Sequence, residues 1–339
     1  MNFPSGDRGL ERIFSRCIYF WRILWFNGCE TKPALLLPKQ RRKDAPTMKK
    51  RLILFAAALM ILFSFQARAE LEKSILLDTA LSALEKDNIF LLRYNELTGS
   101  HVEALFELGI PYLFGGVEKG GVFGRQPEYS KRLCWQDSQF FREGELYING
   151  FDCAGFTQWV YRKSGLPPHD TLSSLILNYG DHGQNYVYSH RDGQQMDAFD
   201  KMKDKLQVGD LFITKHPYSV YRHIMMYIGT PRDFGFTAEN EPCLAPYLDF
   251  PLVIHCGTHP QYGERFQRFI DEHPEEYGRC HTTDGGVQVS ILGVPLDDTP
   301  YHTHVQNTDF HYFILNSGTW LTALDAFDLS SYCWYRIPR

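Results

Sequence analysis

A chain of 339 residues with 44% hydrophobic and 22% charged residues can bury a sizeable core, and this composition excludes wholesale disorder. Residues 1–69 hold 13 Lys or Arg and 4 Asp or Glu, so from Glu70 onward 22 basic residues face 36 acidic ones, a formal charge near −14. A polyanion is repelled by phosphates, which argues against nucleic acid as a partner and against adhesion to an anionic membrane surface.

Residues 1–47 are basic, with Trp and Phe in no clear period, and read as an extension upstream of a natural start at Met48. From there Met48-Lys49-Lys50-Arg51, the apolar stretch Leu52 to Phe65, and Ala67-Arg68-Ala69 supply the basic, apolar and small-residue regions of a secretory signal peptide over residues 48–69. Cleavage is expected after Ala69. The apolar stretch is 14 residues long, fewer than the ~20 a spanning helix needs. No stable membrane anchor is therefore expected after cleavage, and the expected location is the periplasm or the exterior.

Residues 70–339 read as one domain with insertions at about 117–150 and 170–205. Glu70 to about Leu108 has a helical pattern: Leu77, Ala80, Leu81 and Leu84 lie on one face, and Leu105, Phe106 and Leu108 continue it after the break at Thr98-Gly99-Ser100. The run from Val117 to Gly150 is rich in Gly, Arg and aromatics without a period, as in a long loop.

The chemistry concentrates at Phe151-Asp152-Cys153-Ala154-Gly155-Phe156. Asp152 is a good N-cap, Gly165 a good C-terminal stop and Pro167 a block, so a short helix is expected with Cys153 at its head. Unpaired backbone N–H groups there favour a thiolate, while the Asp152 carboxylate opposes one, so a base is required. Alone, Cys153 reads equally well as a buried structural thiol. His223 begins a strand running to Gly229 and is a candidate base; alternation puts it on a face with Met225 and Tyr227. His255 lies inside the apolar run Pro251 to Gly257 and needs a partner if buried, which orienting the first imidazole would provide.

Other combinations are weaker. Cys134, Cys153, Cys243, Cys256, Cys280 and Cys333 permit some disulfides in an oxidising compartment, with connectivity undetermined. His255, Cys256, His259, Cys280 and His281 are close in sequence but form no Cys-x-x-Cys pair, so neither metal nor any other cofactor is expected. His302 and His304 read as solvated strand residues, Asp297-Asp298 as turn chemistry, and Trp320 and Trp334 as core. Arg125 and Arg132 are candidates to meet substrate carboxylates.

Four segments in order carry a family resemblance. They are Gly109-Ile110-Pro111-Tyr112-Leu113-Phe114-Gly115-Gly116, then Asp152-Cys153-Ala154-Gly155-Phe156, then Gly209-Asp210-Leu211 leading to His223, and finally the strand bearing His255. Together they resemble the NlpC-type cell-wall cysteine peptidases of the papain-like superfamily, and the closing Tyr335-Arg336-Ile337-Pro338-Arg339 is similar to that family's last strand. The resemblance implies an α+β fold with a central antiparallel sheet and the nucleophile helix packed against it, to which the N-terminal helical segment read from the spacing is added. It implies that Cys153 attacks the amide carbon, His223 takes and returns the proton, and His255 orients the imidazole. By the same carry-over, backbone N–H groups at the helix start would stabilise the oxyanion, Tyr112 would contact substrate or oxyanion, and Asp152 would meet a substrate amine. The implied partners are peptidoglycan stem peptides or muropeptides, with γ-D-glutamyl-diaminopimelate bonds as the implied target. Ala154 stands where most relatives have Ser, and the insertions lengthen the usual spacing. Two other classes stay open: a thiol acyltransferase with Ile110, Leu113 and Phe114 lining an acyl site, and a catalytically idle binding protein.

Overall fold

The computed structural model describes residues 45–113, 115–119, 122–125, 146–147, 150–167, 186–189, 203–215, 222–258, 260–277, 280–281, 285–294, 310–324 and 332–337. Two compact units divide the chain, residues 1–62 and residues 63–339. Helix α1 (Ala45–Leu81) begins in the first. The second contains everything that positions the site: α2 (Ile89–Thr98), β1 (Gly116–Lys119), β2 (Val122–Arg125), β3 (Leu146–Tyr147), α3 (Cys153–Lys163), β4 (Tyr186–Ser189), β5 (Leu211–Lys215), β6 (Arg222–Gly229), β7 (Leu252–Thr258), α4 (Pro260–Glu272), α5 (Pro274–Tyr277), β8 (Cys280–His281), β9 (Gly285–Leu292), β10 (Phe310–Ile314), β11 (Trp320–Leu324) and β12 (Tyr332–Tyr335).

The N-terminal helical pattern divides where its residues require. Asn88 caps α2 by accepting from Phe90 N at 3.0 Å, and Gly99 ends that helix at a left-handed φ of 66°. Beyond it the apolar residues Leu105 and Phe106 lie at a bend with their side chains exposed, so the helical pattern expected to run to Leu108 stops ten residues short of it. Helix α1 runs through Ala69 without a break, and among the described residues no helix is long and apolar enough to cross a membrane.

Eight strands form one sheet in the order β10-β11-β9-β7-β6-β5-β12-β4. Every neighbouring pair is antiparallel except β9 with β11, so the sheet is mixed where a purely antiparallel one was expected. The antiparallel hairpin of β10 and β11 joins the β9 edge through β11, and that choice of edge reverses the strand sense at one boundary. The β1–β2 hairpin opens at Gly116 and otherwise lies, with β3 paired to β8, in the expected 117–150 insertion, and β4 lies in the expected 170–205 insertion.

Strand alternation sends Ile224, Met226, Ile228, Ile254 and Cys256 into the main core, together with Val287, Val289 and Ile291. The buried residues of α3, Phe156, Trp159, Val160 and Tyr161, belong to the same cluster, which seats the helix on β6 and β7. Tyr161 donates its hydroxyl to Gly209 O, tying the far end of α3 to the turn before β5.

Across that turn the closing segment is bound by charge. Arg336 Nε and Nη2 donate to Asp210 Oδ1 and Oδ2 at 2.8 and 2.7 Å, while Asp210 Oδ2 also accepts from Gln207 N at 2.8 Å. The Asp210 side chain is 1% exposed. Removing one partner of a buried ion pair strands the other charge, so Arg336→Ala is expected to cost about 3 kcal/mol in unfolding free energy. The double change Arg336→Ala with Asp210→Asn should recover part of that loss, as read by urea denaturation.

Candidate active site

The nucleophile segment is built by three close backbone approaches. Phe151 N donates to Pro111 O at 3.0 Å, Leu113 N to Phe151 O at 2.8 Å, and Asp152 N to Gly116 O at 3.0 Å. The other edge of the 110–113 segment joins the start of β9, with Tyr112 N donating to Gly285 O at 2.7 Å and Val287 N to Ile110 O at 2.8 Å. Glycines make this possible. A Cβ on Gly155 would sit 2.0 Å from Gly116 O, one on Gly116 2.4 Å from Gly150 O, and one on Gly150 2.3 Å from Pro111 O. The glycine-rich segment and the nucleophile helix are thus one construction.

Asp152 adopts an extended N-cap conformation, φ −86° and ψ 179°, and its Oδ1 accepts from Gly155 N at 2.6 Å. Its Oδ2 accepts from Gly115 N at 3.2 Å, so the carboxylate clamps the loop to the helix. Helix α3 ends at Lys163, with Ser164 as cap and Gly165 at a left-handed φ of 74°.

Cys153 is buried at the head of α3, its sulfur against the backbone of Ile224, one residue after His223 on β6. The β6–β7 ladder ends at Met226 and Ile254, one residue before His255. His223 Nε2 lies 2.8 Å from His255 Nδ1, the rings meeting edge to face at 4.7 Å with planes at 87°. His255 is fully buried, and its Nε2 lies 2.7 Å from Ser290 Oγ on β9. Gly257 leaves room for the pair: a Cβ there would stand 3.0 Å from His255 Nδ1 and 3.3 Å from His223 Cε1. Beside them Gln288 donates to Gly257 O at 3.1 Å and accepts from Thr322 Oγ1 at 2.7 Å.

With Nε2 of His223 engaged by His255, the nitrogen left for the thiol is Nδ1. Among the described residues no hydrogen bond joins Cys153 to His223; catalytic hydrogen bonds are often long before substrate arrives. Burial, reinforced by the Asp152 charge, pushes the Cys153 thiol up to about 12. Burial also lowers His223 to about 4, so the resting pair at neutral pH is thiol and neutral imidazole.

Asp152 and His223 are only partly buried by area, yet desolvation governs both. Burial raises Asp152 from 3.8 to about 6, against the backbone donors of Gly155, Gly115 and Ala154. The folded state therefore holds the Asp152 proton more tightly than the unfolded chain, and this contribution to stability is lost as pH rises from 3.8 to about 6. His223 acts oppositely, because its folded form resists protonation, so stability is lost as pH falls from 6.5 to about 4. The two nearly cancel across their shared window. Asp152→Asn should expose the His223 slope, a loss of up to about 1.4 kcal/mol per pH unit on acidification through that window. Urea unfolding of both proteins at several pH values checks this, and equal slopes would contradict it.

Tyr112 is half-buried against the core, and its backbone bridges Phe151, two residues before the nucleophile. Ile110 and Leu113, considered for an acyl site, are core residues at 0% and 3% exposure, and Phe114 lies outside the described residues. His255 and Cys256 project to opposite faces of β7, Cys256 donating to Phe151 O at 3.2 Å. Cys153, Cys243 and Cys256 are free thiols. Trp320 is partly exposed. The side chains of Arg125, His281, Cys280, Cys333 and Trp334 lie outside the described residues, as do Arg132, Cys134, His259, Asp297, Asp298, His302 and His304. Ser290 and Gly257 escaped the sequence reading: a Ser among apolar strand residues and a strand Gly carry no signal until the strands are paired.

Residues 109–239 match the model of the NlpC/P60 family. The match takes in Tyr112, Asp152, Cys153 and His223 and stops short of His255 and Ser290. No curated protein and no solved structure matches the chain. The matched family comprises hydrolases of the cysteine peptidase type that act on cell-wall peptides.

Proposed function

With residues 109–239 matching the NlpC/P60 family, we propose that this protein is an exported cysteine peptidase or amidase that hydrolyses peptide bonds in peptidoglycan stem peptides. The observation that carries the reading is the 2.8 Å contact between His223 Nε2 and His255 Nδ1, made beside the thiol-bearing head of α3. In this account substrate binding brings His223 Nδ1 to the thiol. His223 takes the proton as sulfur attacks the amide carbon, then gives it to the departing amine, and water releases the acyl group by the reverse sequence. His255 orients the imidazole and stabilises the imidazolium. The Cys153 N–H at the helix head supports the oxyanion.

Tyr112 is proposed as a substrate contact. Asp152 serves first as the cap that holds Gly115 and Gly155, and a substrate amine would share its carboxylate. Export through residues 48–69, cleavage after Ala69 and action in the periplasm or outside the cell complete the proposal. The γ-D-glutamyl-diaminopimelate linkage is the proposed bond. Incubation of the protein with defined muropeptides, followed by mass spectrometry, should release fragments cut at that bond. Release at another peptide bond would keep the class and change the specificity, whereas intact muropeptides would contradict the proposal.

A further inference from the structure

Ser290 is wholly buried on β9, opposite Val253 of β7 and Thr322 of β11. A hydroxyl in such a place costs free energy unless it is bonded. Among the described residues its hydroxyl makes one hydrogen bond, 2.7 Å to His255 Nε2. Two imidazoles and a hydroxyl therefore stand in a line: His223 Nε2 to His255 Nδ1 at 2.8 Å, then His255 Nε2 to Ser290 Oγ.

Each ring has two nitrogens, and the position of one proton fixes the rest. His223 can accept the thiol proton at Nδ1 only while that nitrogen carries none, so its own proton sits on Nε2 and is donated to His255 Nδ1. His255 then accepts at Nδ1, holds its proton on Nε2, and requires an acceptor beyond. Ser290 Oγ is in place to accept it. The opposite direction, with Ser290 donating to Nε2 and His255 donating from Nδ1, leaves the His223 proton on Nδ1, where it blocks the base. Once His223 becomes an imidazolium, its Nε2–H again needs a lone pair on His255 Nδ1, so only the first direction supports the charged state.

We infer that Ser290 is a positioning residue of this site: by accepting from His255 Nε2–H it sets the direction of the histidine relay and makes the His223 imidazolium attainable. The inference rests on the proposed roles of Cys153 and His223. The lowered proton affinity of His223 agrees with it, because without outside support the buried imidazolium is disfavoured. Beside the two histidines, the titratable groups on the described elements packed around them include Tyr227 on β6, Cys256 on β7, and Asp152 and Cys153 at the head of α3, and none of these is substituted when Ser290 is replaced.

The test uses the full chain as wild type, Ser290→Ala and Ser290→Thr. Two quantities are read: the rate of Cys153 alkylation by iodoacetamide, followed by peptide mapping, and the titration of His223 by NMR of 15N-histidine-labelled protein, assigned with His223→Gln and His255→Gln. Ser290→Ala strips a buried N–H of its acceptor, so it should slow alkylation about ten- to a hundredfold and titrate His223 about one pH unit lower. Ser290→Thr keeps the oxygen and should restore both to within about threefold of wild type. The acidic wild-type spectrum should show the His255 proton on Nε2, which stands even if Ser290→Ala does not fold. A proton on Nδ1 of His255, or a Ser290→Ala protein with unaltered His223 titration, would overturn the inference. Neither readout uses muropeptides, so loss of the relay and error in the proposed substrate are told apart.

Discussion

Cys153→Ala is expected to lower kcat/KM on a cleavable muropeptide by on the order of 10⁴-fold or more, while the protein unfolds with nearly wild-type stability. The size of the kinetic loss follows from covalent catalysis: without sulfur there is no acyl intermediate, and the oxyanion donors and bound substrate alone supply only a residual acceleration. The small structural cost follows from position. Cys153 sits at the helix head rather than in the helix interior, and its removal takes away one sulfur while the Asp152 cap, the Phe151 ladder and the core residues of α3 stay in place. Cys153→Ser should be almost as inactive, since burial that already raises a thiol to about 12 leaves a hydroxyl still harder to ionise. Comparable turnover by wild type and Cys153→Ala would remove the nucleophile from the account.

The second large effect is structural and lies two residues further on. Gly155→Ala would place a methyl carbon 2.0 Å from Gly116 O and 3.1 Å from its carbonyl carbon. Both obstacles are backbone, and the same oxygen accepts the Asp152 N–H that fixes the nucleophile's entry to the helix. No side chain can rotate away, so either the helix head or the 109–116 segment must move. Overpacking of this kind costs about 1–3 kcal/mol, with values above that range expected where backbone meets backbone. The same displacement takes the thiol from the start of β6, so labelling of Cys153 should fall in whatever fraction remains folded. Gly165→Asn is the control: that residue has a left-handed φ of 74° with nothing within 4 Å of a Cβ, and Asn accepts this conformation readily. Near-equal melting of Gly155→Ala and Gly165→Asn would show that the close approach is not what holds the segment.

Much of the architecture could be read locally. The limits of α3 follow from Asp152, Gly165 and Pro167, and the strand through His223 from its short apolar run, because both signals lie within a few residues of what they specify. What escaped is long-range. The parallel pairing of β9 with β11 depends on which edge receives a distant hairpin, and no period encodes that choice. The apolar residues past Gly99 continue the helical pattern in sequence, yet Leu105 and Phe106 are exposed and lie outside the helix. At the site, His255 could be suspected because a buried His needs a partner. Ser290 could not, since its partner stands 35 residues away in sequence and is reached diagonally across two paired strands. Asp152 shows the converse: its capping role was legible, whereas its hold on Gly115 through the second oxygen required the fold.

If His223, oriented by His255, activates Cys153, the pH dependence of Cys153 alkylation must differ among wild type, His223→Gln and His255→Ala, resolved by peptide mapping so that Cys243 and Cys256 are counted separately. Wild-type Cys153 is expected to react in the neutral range, His223→Gln to slow it about a hundredfold or more, and His255→Ala to fall between them. Equal alkylation of Cys153 in all three proteins across the pH range would contradict that activation.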